Sequence, residues 1–179
     1  MSETPEHKSE PQEQADALIA ALAEIERHVS RAGWDQPARL FALVRTDVLI
    51  RQEPSLAAHL RAGSPDSLSS IEQEDFVAGE DLGKTLAGLQ WPATVGGCAI
   101  ALERTFLPPE FEGEIPDDPA AAETFVHSHP KRQDARVVVG ALRDGTQHGL
   151  GRLLSHPDEL LGGVDFVPGL AKALVRTLQ

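Results

Sequence analysis

The sequence predicts an α+β domain: a mostly antiparallel sheet of about four or five strands, with helices packed mainly on one face. Three observations carry this expectation. Apolar residues recur at helical spacing near both ends of the chain. Apolar runs between them read as strands, separated by Gly, Pro and Asp turn signals. The later runs are joined by links too short for parallel crossovers.

Residues 1–12 are expected to be a disordered acidic tail, since Pro, Glu, Ser and Gln dominate and cannot build a core. Residues 13–179 are read as a single domain. Leu18, Leu22, Ile25 and Val29 form the apolar stripe of a first helix, with Gly33 placed for a left-handed C-terminal cap. Pro37 prevents the helix from resuming. Arg39 to Val44 reads as a short buried strand. Thr46 or Asp47 can start a short helix that stops before Pro54, and another turn or two fits Ser55 to Arg61. "SPDS" is a loop, and an extended segment around Ile71 follows. Leu82, Leu86 and Leu89 mark a third helix, ended by Trp91-Pro92.

"GGCAIALERTFL" is a strand closed by Pro108-Pro109. An acidic loop leads to Asp118-Pro119, a helix start with Asp as N-cap and Pro at the first helical position. Ala135 to Arg143 and Thr146 to Leu154 form a hairpin around Asp144-Gly145. With a two-residue loop, Gly140, Gly149 and Gly151 share one face with Val138 and Leu142. Arg143, His148 and Arg152 then share the other with Val139 and Leu150. A last helix begins near Asp165 and carries Val167, Leu170, Leu174 and Leu178.

A net charge of −12 and an aromatic fraction of 4% oppose general binding to phosphate backbones, so nucleic acid is not an expected partner. The single cysteine, Cys98, requires no oxidising compartment. With no apolar leader near the start and no apolar run of spanning length, the expectation is a cytoplasmic protein without a membrane partner. Charge is segregated: Glu110, Glu112, Glu114, Asp117, Asp118 and Glu123 lie between Arg104 and Lys131, and a basic stretch follows to Arg152.

"AGEDLGKT", residues 78–85, satisfies a relaxed phosphate-loop pattern. Glu80 and Asp81 would lie inside the anion cradle, so nucleotide binding there is the weakest reading. "HSHP", residues 127–130, resembles the core of the JAMM (MPN) zinc isopeptidases, in which two histidines and a downstream aspartate hold zinc. The positions matching that family's serine and aspartate are Val137 and Gly140 here. His127, His129, His148 and His156 could still converge on a metal, giving a metal-dependent hydrolase as the alternative. No cofactor is expected under the leading reading. Cys98 opens an apolar strand and is expected to be a buried small hydrophobe.

The joint "GWDQPAR" is expected to be a structural corner, with Trp34 lying over the helix end and Asp35 bonding to turn amides. "GWDQPARLFALV", "PSLAAHL", "ALRDGTQH" and "FVPGLAKAL" together resemble an uncharacterised family of actinobacterial proteins. That resemblance implies no activity. The leading expectation is a non-catalytic binding or interaction domain, regulatory or chaperone-like. It would meet a protein partner or a second copy through Arg143, His148, Arg152, Trp34 and Arg39.

Overall fold

The computed structural model describes residues 10–58, 67–79, 81–164 and 167–179. Helix α1 (Glu10–Ser30) leads into β1 (Arg39–Arg45), α2 (Thr46–Gln52) and a 3-10 turn (Pro54–Ala58). Then come β2 (Leu68–Glu72), α3 (Leu82–Ala87), β3 (Gly97–Phe106), a second 3-10 turn (Pro109–Glu114) and α4 (Pro119–Ser128). Strands β4 (Gln133–Leu142), β5 (Gln147–Leu153) and β6 (Leu160–Gly163) precede α5 (Pro168–Thr177). Among the described residues, six strands form one sheet in the order β2-β1-β3-β4-β5-β6. Every neighbouring pair is antiparallel.

The α+β class and the antiparallel sheet are as expected, but helices cover both faces. Leu18, Leu22, Ile25 and Val29 of α1 pack on Phe41, Leu43, Ala99, Ala101, Val138 and Leu150. On the opposite face, Leu170, Leu174 and Leu178, with Leu86 of α3, cover Leu40, Ala42, Cys98, Ile100, Val137 and Val139. The physical reason is legible in β3 and β4. Their unbroken apolar runs, rather than alternating ones, are what strands buried on both sides require. Each fully buried leucine contributes about 1.5–3 kcal/mol, so the two layers together hold the sheet between helices.

The hairpin between β4 and β5 corrects a second expectation. Its loop has three residues, Arg143-Asp144-Gly145: Leu142 donates its amide to Thr146 at 2.8 Å, and Gly145 is left-handed at φ 94°. Ala141 therefore faces Gln147, and Gly140 faces His148. A one-residue change in register exchanges the faces of a whole strand. His148, Leu150 and Arg152 lie on the α1 side with Gly140, whereas Gly149 and Gly151 lie opposite, beside Val139 and Val137. Gly140 makes room for the helix: a Cβ there would stand 2.6 Å from Leu22 Cδ2.

Residues 10–12, expected in the tail, are helical, while residues 1–9 lie outside the described residues. So do Arg61, most of "SPDS", Glu80 and Asp165. Strand β6 was not anticipated. Among the described residues, no helix is long and apolar enough to cross a membrane.

Candidate functional site: the helix-strand corner and the hollow beside it

Helix α1 stops where the sequence supplies a left-handed residue. Gly33 has φ 82° and donates its amide to Ser30. Asp35 is also left-handed, at φ 64°, a conformation that aspartate tolerates better than most residues. This turn offers the amides of Asp35 and Gln36 to one carboxylate, Glu103 of β3, at 2.9 and 2.5 Å. The acceptor is thus a residue 68 positions away, rather than the side chain of Asp35 itself. Gln36 turns back to donate to the carbonyls of Val29 and Gly33, capping the helix end.

Beneath the corner lies a buried charge cluster. Glu26 is 1% exposed and accepts from Arg152 at 2.7 and 3.2 Å and from Arg136 at 3.4 Å. Arg136, itself 3% exposed, also donates to Gly33 at 2.9 Å, and its guanidinium stacks 4.5 Å from the Trp34 ring centre. Trp34 thus covers the buried cation. Hydrogen bonds from Arg152 to Glu26 raise the already high pKa of Arg152.

A third ion pair sits nearer solvent. Arg39 holds Glu72 through two hydrogen bonds, 2.7 and 2.6 Å, and reaches Gln36 at 3.1 Å. Those bonds, opposed by burial, keep the Glu72 carboxyl below the usual carboxylate range. His28 Nε2 stands 3.1 Å from Arg39 Nη2 and 3.7 Å from Glu72. Beside this group opens a polar hollow of about 470 Å³ between α1 and the β1–β2 edge. Glu24, Arg27, His28 and Arg31 form its helical wall, with Phe41, Ser70 and Glu72 opposite. Arg27 in the last turn of α1 and Arg31 directly after the helix have no ion-pair partner among the described residues.

Trp34, Arg39 and Arg152 therefore meet at one end of the molecule, linked through Gln36, Gly33, Arg136 and Glu26. Arg143 does not join them. It sits in the hairpin turn and donates to the carbonyls of Val95, Trp91, Pro92 and Leu178, tying the end of α5 to the segment before β3. His148 is half-buried, with Nε2 3.3 Å from where a Cβ on Gly162 would lie. Burial pushes its pKa down. The expected face of Arg143, His148 and Arg152 does not form, because the three-residue loop moves Arg143 out of the strand.

The four late histidines do not converge either. They are spread over the end of α4, β5 and the turn after β5. His129 packs against the rings of Phe111 and Phe125, and His156 shares a 2.8 Å contact with Ser155. Among the described residues, no group of three or more His, Cys, Asp or Glu side chains could hold a metal ion. In the 78–85 segment, Asp81 accepts the Lys84 amide at 3.1 Å, and the Thr85 hydroxyl donates to Ala78 at 2.6 Å. Two of the groups a phosphate would need, the Lys84 amide and the Thr85 hydroxyl, are bonded to the loop itself. Cys98 is buried under α5, and desolvation pushes its thiol pKa up to about 11. The thiol is a packed hydrophobe there, unsuited to nucleophilic attack.

Glu26, Arg136, Glu72, Arg27, His28 and Arg31 were not singled out from the sequence. Glu26 carried a signal, since it falls on the same helical face as Leu22, Ile25 and Val29. Arg136 carried another, as the one charge facing inward in an apolar strand.

The sheet clad by helices on both faces, with its neutralised corner, defines an α+β domain whose concave polar surface lies beside the end of its first helix. The chain matches the model of the PPA1309-like protein family over residues 18–179 and belongs to that family. The expected resemblance to an uncharacterised family is thereby established. No curated protein and no solved structure matches the chain.

Proposed function

We propose that this is a non-catalytic interaction domain that takes an acidic segment of a partner protein into the hollow beside α1. The observation that carries the proposal is the contrast among its arginines. Arg39, Arg136, Arg143 and Arg152 are engaged by carboxylates or carbonyls within the fold. Arg27 and Arg31 line the hollow without such partners. Planar guanidinium forks suit bidentate recognition of carboxylates.

The net charge of −12 does not exclude an acidic partner. At physiological salt, charges farther than about 8 Å are largely screened, so the local field decides. The negative end of the α1 dipole is also partly covered, since Gln36 donates to the Val29 carbonyl and Arg136 holds its cation on the Gly33 carbonyl just beyond the helix. The same charge balance supports a partner other than nucleic acid, and the reduced Cys98 is compatible with the cytoplasm.

A fluorescein-labelled hexaglutamate peptide, followed by anisotropy at low ionic strength, tests the proposal. Binding should weaken about tenfold or more in Arg27→Glu/Arg31→Glu, consistent with like-charge juxtaposition. Arg176→Glu, at the end of α5, should bind as wild type. Equal loss in both variants would show a non-specific field, and no loss in the first would remove the hollow from the account.

A further inference from the structure

The two edges of the sheet differ. Strand β2 ends one side with Ser69, Ser70 and the ion-paired Glu72. Strand β6 ends the other side as Leu-Leu-Gly-Gly, paired only with β5 among the described residues. Sheet edges are ordinarily guarded by short length, lysine, proline, a bulge or an inward charge, because their unpaired amides and carbonyls accept another strand; β6 is short, at four residues. The sequence of β6 supplies no charge and no proline. It leaves Leu160 41% and Leu161 44% exposed, with Leu154 at 48% and Val164 at 58% nearby. Leu160 pairs across from Arg152 and Leu161 from Gly151, so the two leucines point to opposite faces.

The charge around this edge selects the occupant. Asp158 and Glu159, both exposed, precede the strand directly. The nearby cation, Arg152, is taken by Glu26. A second copy pairing through the same strand would bring its own Asp158 and Glu159 to the same line, so like charges would meet there. The amino-terminal segment of this chain, with Glu3, Glu6 and Glu10 against Lys8, is acidic as well. We infer that the β6 edge accepts an extended apolar segment of a partner protein flanked by basic residues, which adds as a seventh strand. Main-chain hydrogen bonds supply the attachment. The leucines on either face and the carboxylates at the strand's start choose the sequence. This surface is separate from the hollow beside α1.

The probes are the peptide KKVTVTVKK, its acidic counterpart EEVTVTVEE, and KKVTPTVKK, in which proline removes a ladder donor. Each is titrated into the isotope-labelled full chain by amide NMR. KKVTVTVKK should shift the amides of Leu160 to Val164 and slow their exchange, and the other two should not. Leu161→Lys should weaken binding about tenfold or more at an unchanged melting temperature. Asp158→Lys/Glu159→Lys should reverse the preference towards EEVTVTVEE. Equal binding of the acidic and basic peptides, or no shift in β6, would overturn the inference. So would a dimer in the free protein that Leu161→Lys dissociates, since a second copy would then own the edge.

Discussion

Glu26 is the residue on which the corner depends. It is drawn from α1 and is the carboxylate shared by two arginines 110 and 126 positions later, in a space almost closed to water. Removing one partner from a buried ion pair leaves charge without compensation, at a cost of about 3–5 kcal/mol. Glu26→Gln should therefore lower the denaturant midpoint far more than Glu24→Gln, whose carboxylate lines the open hollow. A comparable midpoint in both would show that the cluster is not essential. Arg143→Glu should cost stability too, because it strips donors from carbonyls on two separate segments. Cys98 gives a pH signature. Its pKa rises from an ordinary 9.0 to about 11 in the fold, so the unfolded chain ionises first as pH increases. Stability attributable to the thiol is complete below about 9 and is lost as pH climbs towards 11. Cys98→Ala should flatten that part of the stability profile, as read by urea titration at each pH. Glu72 works in the opposite direction. Its lowered pKa gives stability that is present above the ordinary carboxylate range and lost as acid protonates it.

The elements that the sequence made legible are those with a strong period or a specific turn chemistry. The stripe Leu18, Leu22, Ile25 and Val29 has the helical period, and Gly33 and Asp118 mark a helix end and a helix start. The Asp118 carboxylate does accept the Ala121 amide, at 3.0 Å. What stayed hidden depends on register or distance. Asp144-Gly145 announces a hairpin, but a two-residue and a three-residue loop share that dipeptide, and only the backbone decides between them. Strand β6 has four residues, two of them glycine, which is too little pattern to read. Of the corner, Trp34, Arg39 and Arg152 were visible in the sequence. Their joining partners Glu26 and Arg136 were not, because nothing local reveals a contact spanning more than a hundred residues. The packing of α1 on β4 makes its own prediction. Gly140→Ala should cost about 1–3 kcal/mol through overpacking against Leu22 and Leu18. An unchanged thermal midpoint would show that α1 can lift away without penalty.

At the scale of the whole molecule, the two helical layers bury the central strands on both faces and leave the interesting surface at the periphery. The hollow beside α1 and the bare edge of β6 lie on opposite sides of the sheet, one lined by arginine and the other bordered by carboxylates. A fold with polar groups locked into its corner is well suited to presenting such surfaces rigidly. Because the proposed contact with an acidic segment is electrostatic and solvent-accessible, its affinity should fall steeply with salt, whereas the folding midpoint should change little. The most direct measurement is an amide NMR map of hexaglutamate bound to the wild-type chain. The account predicts shifts concentrated at Arg27 to Arg31 and Ser70 to Glu72. Shifts concentrated at Arg143 and His148, or scattered over every exposed cation, would contradict it.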